Sequence, residues 1–290
     1  MRVLAILLLA VSAACHTATT SDVPATAAAP QLVTAKALLD VATVRPGQAF
    51  TVGVELEMQP GWHVYWKNPG DAGLPVSIRI SGDGGFSAGQ IGWPVPVRFM
   101  QPGDIVGYGY TDAVFLTVPV TAPVGVAPGE KRTIHVDVSW LVCKDVCLPG
   151  KASFDVPVTI GTQSTPANAA LFDRWRELVP SSGPTPFEIT RQTGALDAEG
   201  RRGEFQFTLA WPGGVRDVEW FPSEDPALAF EGVSVRMTGD RTAELTFTAS
   251  VLAGQRPASD NFESVIAFTT SDGRRRGAVL PVRLAARRSA

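Results

Sequence analysis

The sequence predicts an all-β fold, with two β-sandwich domains joined by a short helix and a linker. Apolar and polar residues alternate in most segments, as in Phe50, Val52, Val54 and Leu56, which is typical of half-buried strands. Turn signals such as RPGQ, GDGG and APGE separate several of these segments. A single helical pattern interrupts the alternation. The length of 290 residues suits two domains of modest size.

The N-terminus predicts export. MRVLAILLLAVSAAC has one positive charge, a short apolar run and then small residues, which is typical of a secretory signal over residues 1–14. Small residues followed by Cys15 resemble a bacterial lipobox, although Ser12 stands where Leu is usual, so Cys15 is the candidate lipidation site. A plain secreted form is the alternative. Residues 15–31 are expected to form a flexible tether. The expected location is the periplasm, with a lipid anchor.

The first domain is predicted over residues 32–161. Its candidate strands follow one another at sandwich-like spacing and are 50–58, 76–80, 115–120, 133–142 and 153–160. Trp140 lies in phase with Ile134, Val136 and Val138, so it is expected in the core.

Residues 162–185 are predicted to form the helix and linker. Leu171, Trp175 and Leu178 share one helical face, and SSGPTP follows. A second β-sandwich domain is predicted over residues 186–290, where EFQFTLAW, TAELTFTAS, SVIAFTT and AVLPVRL alternate again.

Composition excludes some functions. The formal net charge is −3, and no basic stripe with interleaved aromatic residues predicts nucleic-acid binding. After the signal, no apolar run approaches the length of about 20 residues that a membrane helix needs. We therefore expect membrane contact only through the lipid.

Cys143 and Cys147 stand out within SWLVCKDVCLPGK. They follow one predicted strand and precede another, so a hairpin would bring them within bonding distance. Export makes a disulfide durable. The pair is interpreted as a structural staple, which would contribute only about 2 kcal/mol for so short a loop, or as a dithiol that exchanges with partner thiols. Spacing alone leaves this choice open.

A metal site is the third interpretation, and it is the weakest. Zinc needs about four ligands, and the chain has only His16, His63 and His135 to add to the cysteines. None has a usual ligand spacing. A role for His63 in tuning a thiol is one interpretation, but His63 is expected at a strand edge on the surface. We therefore expect no metal and no cofactor.

Four segments together resemble a known family. They are GWHVYWKNPGDAGLP, IGWPVPVRF, VGYGYTDAVFLTVPV and SWLVCKDVCLP. This combination is similar to the N-terminal periplasmic domain of the thiol:disulfide interchange protein DsbD, in particular to its ScsB-type relatives with a C-x-x-x-C pair. The resemblance extends over about residues 35–285.

The resemblance implies an immunoglobulin-like fold for the sandwiches and a redox role for the cysteines. Cys147 would be the residue attacked by and linked to a partner, and Cys143 would be the resolving one. A cap loop would shield the disulfide, with Asp104 to Tyr110 as its counterpart. Tyr108 and Tyr110 would supply aromatic cover, and Tyr65 would flank the site.

The resemblance also implies the partners. A membrane electron carrier would reduce the pair, which would pass electrons to thioredoxin-like periplasmic proteins. The predicted function is therefore thiol–disulfide exchange, as a component of a protein-disulfide reductase system. The alternative is a non-catalytic binding or assembly module with a structural disulfide, because fold alone does not decide function.

Overall fold

The structure is a computed structural model. Strands form nearly all of its regular secondary structure. It describes residues 31–83, 85–180, 183–257, 259 and 261–284. The predicted signal, Cys15 and the predicted tether up to residue 30 lie outside the described residues.

The first sandwich contains twelve of the strands. They are β1 Val33–Leu39, β2 Val41–Val44, β3 Ala49–Met58, β4 His63–Gly70, β5 Ser77–Gly82, β6 Ser87–Ala88, β7 Val97–Gln101, β8 Ile105–Thr111, β9 Ala113–Thr121, β10 Lys131–Cys143, β11 Cys147–Ile160 and β12 Thr165–Pro166. One sheet has the order β1-β3-β9-β6. The other has the order β12-β2-β11-β10-β4-β8-β7, and β5 also pairs with β10.

The core of the first sandwich lies between these two sheets. Alternate residues of β3 and β10 point into it, including Val52, Val54, Ile134 and Val136, all of them fully buried. Trp140 continues the inward row of β10 and is buried, so its predicted core position is confirmed. The outward row of the same strand ends at Cys143.

A short helix covers the outside of the β1-β3-β9-β6 sheet. It is α1, Ala169–Arg176. Phe172 is buried against Phe115, with ring centroids 4.9 Å apart, and Trp175 also contacts Phe115. Leu171, on the predicted helical face, is half-buried, and Phe172 is the buried residue of the helix. Leu178 lies beyond the helix, which ends at Arg176.

The second sandwich has seven strands. They are β13 Glu188–Gly194, β14 Arg202–Ala210, β15 Val215–Pro222, β16 Leu228–Gly239, β17 Thr242–Val251, β18 Asn261–Thr270 and β19 Arg275–Arg283. They form a β13-β14-β17-β16 sheet and a β15-β18-β19 sheet, which enclose their own apolar core. The prediction of an all-β fold with two sandwiches joined by a short helix is confirmed.

An apolar seam joins the two sandwiches. Phe221 of β15 is fully buried and packs with the core of the first sandwich, where its ring lies 6.1 Å from Trp66 and 5.3 Å from Tyr108. Polar contacts flank the seam. Asn68 donates to the carbonyl of Pro222 at 2.8 Å, and Arg275 donates to the carbonyl of Pro96 at 2.9 Å.

Candidate functional site

The β10–β11 hairpin places the two cysteines directly opposite each other. The antiparallel register runs from Lys131 opposite Thr159 up to Cys143 opposite Cys147, and a disulfide joins the last pair. Only three residues connect the strands at this tip. Residues with the same parity share one face of a strand, so the inward row that ends at Val142 leaves Cys143 on the outward face.

The two sulfurs differ in exposure. Cys143 is fully buried, because β4 pairs with β10 beside it and sets His63 opposite Cys143. Cys147 is exposed. Within the described residues, β11 pairs on its outer side only at Thr159 and Ile160, with β2, so Cys147 lies at the open end of an edge strand. A thiol-bearing molecule can therefore approach Cys147 more easily than Cys143.

Three rings form a cluster on the outward face, in which His63 lies opposite Cys143 and Tyr65 reaches Cys147. His63 and Tyr65 belong to β4, and Phe99 belongs to β7. The ring centroids of His63 and Phe99 are 4.0 Å apart, and those of Tyr65 and Phe99 are 6.1 Å apart. Strand β8 separates β4 from β7, but Gly107 stands opposite Phe99. A Cβ at Gly107 would lie 2.2 Å from the Phe99 ring, so the missing side chain is what allows Phe99 to reach His63.

Polar contacts connect two of these rings, His63 and Tyr65, to Sγ of Cys147. The Tyr65 hydroxyl donates to Oε1 of Gln101 at 2.9 Å. The hydroxyl oxygen of Tyr65 also lies 3.8 Å from Sγ of Cys147. Nε2 of His63 lies 3.4 Å from the Tyr65 hydroxyl. Burial lowers the pKa of His63. Burial also raises the pKa of Tyr65, against an opposing contribution from its bond with Gln101. Both groups are therefore neutral around pH 7.

Of the four residues predicted to flank or cap the site, the structure brings Tyr65 to the disulfide. Tyr110 faces the core, is buried and donates to the carbonyl of Pro94 at 2.7 Å. Tyr108 packs on Phe221 at the seam. Asp104 lies in the exposed β7–β8 turn with φ of 59°. The functional roles of all four remain predictions.

Sequence reasoning misplaced one residue of this cluster and missed two. The expectation that His63 lies on the surface is wrong: it is 7% exposed, because the Phe99 ring covers it with a centroid distance of 4.0 Å. Phe99 and Gln101 were not singled out. A signal for Phe99 is present in VGYGY, where glycines at alternate positions of a strand indicate the close approach of another group.

An apolar groove lies along the β10–β11 hairpin, two residues below the disulfide. Its volume is about 430 Å³, and its lining residues are Leu74, Pro75, Ser139, Trp140, Leu141, Pro149, Gly150 and Lys151. Leu74, Val146 and Leu148 are exposed apolar side chains near the same end of the hairpin. The surroundings of Cys147 are therefore suited to contact with another macromolecule.

The described residues contain no group of three or more His, Cys, Asp or Glu side chains placed to hold a metal ion. No helix in the same residues is long and apolar enough to cross a membrane.

Comparison with known proteins identifies the disulfide-bearing part of the chain. Residues 29–159 match the family described as thiol:disulfide interchange protein DsbD, N-terminal. The sequence has no match among curated proteins.

Among solved structures, the chain is similar to the N-terminal periplasmic domain of ScsB from Proteus mirabilis. The identity is 16%, the match covers 88% of this chain and 95% of that one, and the TM-score is 0.60, which supports the shared fold. A protein of unknown function from Porphyromonas gingivalis also matches, with 13% identity over 87% of this chain and 100% of that one, but its TM-score of 0.21 is too low for any argument. Residues 29–159, with the Cys143–Cys147 hairpin, belong to the family of DsbD N-terminal domains.

Proposed function

We propose that this chain exchanges its Cys143–Cys147 disulfide with the dithiols and disulfides of partner proteins. The observation that carries the proposal is the asymmetry at the hairpin tip, where Cys147 is exposed and Cys143 is fully buried. An inert staple gains nothing from one open sulfur, whereas an exchange reaction needs one sulfur that a partner can reach and one that resolves the intermediate. The family of the domain supports the same chemistry.

The exchange needs no cofactor. A partner thiolate attacks Sγ of Cys147 in line with the S–S bond, a mixed disulfide forms, and Cys143 leaves as a thiolate. The second cysteine of the partner, as a thiolate, then attacks the partner's first sulfur in that mixed disulfide, so the partner's disulfide forms and Cys147 is released as a thiolate. Two electrons have then passed to this chain, and the partner holds the disulfide. The reverse sequence passes them to the next protein.

The proposed setting is the periplasm, with the chain held at the membrane by a lipid on Cys15. A membrane electron carrier would supply the electrons, and thioredoxin-like proteins would receive them. Tethering raises the effective concentration of the chain near the carrier. We propose residues 32–161 as the redox domain and residues 186–290 as a second domain that serves docking or spacing, with residues 162–185 between them.

Trapping tests the proposal. In a chain with Cys143→Ala, the Cys147 thiolate attacks the disulfide of a thioredoxin-like protein, and this chain holds no second thiol to resolve the product. Acid quenching and alkylation of the freed partner thiol then preserve the mixed disulfide, which appears on a non-reducing gel. Cys147→Ala is the matched control and forms no adduct at the buried Cys143. Both chains carry Cys15→Ser so that no other thiol reacts.

The opposite result supports a structural staple. A reduction potential of the Cys143–Cys147 pair well below about −300 mV, together with no adduct in the Cys143→Ala chain, would overturn the proposed function. The chain would then fit the alternative of a binding or assembly module.

A further inference from the structure

We propose that the Tyr65 hydroxyl is the hydrogen-bond donor that stabilises the Cys147 thiolate, and that the Gln101 amide is the positioning residue that releases this hydroxyl toward the sulfur. The inference rests on the proposed function, because the thiolate is the species that exchange produces and uses. It assigns Tyr65 a direct role at the reacting atom and adds Gln101 to the site.

The fold fixes the position of the Tyr65 oxygen. The side chain is 1% exposed, with Phe99 on one side and Gly73 on another, where an added Cβ would lie 2.4 Å from the ring. The oxygen lies 3.8 Å from Sγ of Cys147, which is within the range of a hydrogen bond to sulfur. A donor held there in advance needs no reorganisation when charge forms on the sulfur.

The direction of the hydroxyl proton depends on the redox state. Tyrosine has one O–H to donate, and a disulfide sulfur is a weak acceptor, so in the oxidised protein the proton points to Oε1 of Gln101 at 2.9 Å. A thiolate carries a full negative charge and is a much better acceptor. Reduction therefore favours rotation of the O–H toward Cys147.

The Gln101 amide permits this rotation. Its Nε2 is buried and has no hydrogen-bond partner among the described residues. Turning the amide over exchanges Oε1 and Nε2, so that the N–H donates to the Tyr65 oxygen, and no existing bond of Nε2 is lost. His63 Nε2, 3.4 Å from the same oxygen, supplies a second donor in one of its tautomers. The Tyr65 oxygen then accepts hydrogen bonds from Gln101 and His63, while the Tyr65 O–H donates to Sγ of Cys147.

Tyr65 donates this hydrogen bond without giving up its proton. Burial raises the pKa of Tyr65, so the phenol stays neutral throughout. When Cys147 leaves the mixed disulfide, the electron pair of the broken S–S bond stays on Cys147 Sγ, and the hydrogen bond lowers the energy of that anion. The charged side chains of the hairpin tip, Lys144 and Asp145, are exposed and stay unchanged in the variants below.

The test compares Tyr65→Phe with Ser153→Ala in a chain that also carries Cys15→Ser and Cys143→Ala. Thiolate absorbance is titrated against pH to follow Cys147 alone. Loss of a hydrogen bond to a charged group lowers the thiolate fraction at pH 7 about tenfold in Tyr65→Phe. Ser153 is exposed on the same hairpin and donates to Asp137 at 2.7 Å, so its variant titrates like the parent chain. An unchanged titration in a folded Tyr65→Phe chain overturns the inference.

A second variant separates a direct role from general disturbance. Gln101→Met removes the competing acceptor, so the thiolate fraction of Cys147 stays equal to that of the parent or rises. A fall of the thiolate fraction in both variants overturns the inference, because general disturbance of the site would lower that fraction in both. If the single-cysteine chain does not fold, the same titration is made on the reduced pair in the Cys15→Ser chain, where the pair gives macroscopic pKa values.

The outcome is independent of the trapping experiment. Trapped partners together with an unchanged titration overturn the role of Tyr65 and leave the proposed function standing. A lowered thiolate fraction in Tyr65→Phe with no trapped partner supports the hydrogen bond and overturns the exchange function.

Discussion

Strand β4 of the first sandwich and strand β17 of the second use their two faces differently. In β17 buried and half-buried residues alternate along almost the whole strand, with Leu245 and Phe247 inward and Glu244 and Thr246 outward. In β4 the four residues from His63 to Trp66 are all buried. Antiparallel sheets commonly leave one face to water. Burial on both faces therefore indicates that each face of β4 packs against other groups.

The cause lies in what covers each outward face. Phe99 and the loop at Gly73 cover β4 on the side of the disulfide, while Phe221 packs on Trp66 from the opposite side. The outward face of β17 carries polar contacts instead, such as the ion pair of Arg236 with Glu244 at 2.7 Å. Strand β4 therefore joins the Cys143–Cys147 disulfide to the seam, whereas β17 only encloses a core.

The largest effect is expected from breaking the seam face of β4. Phe221→Ala removes a fully buried ring from between the two sandwiches and lowers the free energy of unfolding by about 3–5 kcal/mol, measured by chemical denaturation. Phe207→Ala, in the core of the second sandwich, is the matched control, since Phe207 is also fully buried.

The two variants differ at the disulfide. Loss of Phe221 leaves Trp66 without its neighbour, so we expect faster reduction of Cys143–Cys147 by a small thiol under native conditions. Phe207→Ala destabilises the fold but leaves the rate of disulfide reduction unchanged. Equal reduction rates in the two variants would show that the seam and the site are not connected through β4.

A smaller effect is expected from opening the outward face. In Gly107→Ala the new Cβ meets Phe99 at 2.2 Å, so the ring must move away from His63. We expect a loss of about 1–3 kcal/mol, as for overpacking, and faster reduction of the disulfide. Gly213→Ala is the control, because nothing lies within 4 Å of its Cβ position, and its effect stays within about 0.5 kcal/mol. A Gly107→Ala chain with the stability and reduction rate of the parent would contradict the role of Phe99 as cover.

The same contrast explains which features the sequence could predict. Alternation is a local property, so it predicts the hairpin and the meeting of Cys143 with Cys147 across it. It also predicts strands such as β17. The contacts of Phe99 and Phe221 depend on the strand order β10-β4-β8-β7 and on the docking of β15, which periodicity does not contain. His63 was misjudged for this reason: its burial follows from the Phe99 ring, which packs on it from the other side of β8.

The smallest effect is expected from pH, where two histidines of the first sandwich behave in opposite ways. Burial lowers the pKa of His63, so the unfolded chain binds a proton at His63 before the folded chain does. Stability is therefore lost as pH falls below about 6.5, the value of an unperturbed histidine, until the pH passes the lower folded pKa. The loss is at most about 1.4 kcal/mol per pH unit.

His135 supplies the opposite sign. It is exposed, and its hydrogen bond to Asp155, at 2.5 Å, raises its pKa. The stability that it contributes is fully present below about pH 6.5 and is lost as pH rises through the folded pKa. Unfolding measured between pH 5 and pH 8 distinguishes the two. Relative to the parent chain, the stability of His63→Gln rises as the pH falls, and the stability of His135→Gln decreases. If the curve of His63→Gln runs parallel to that of the parent, His63 does not stay neutral in the fold, and the outward face of β4 is open to water like that of β17.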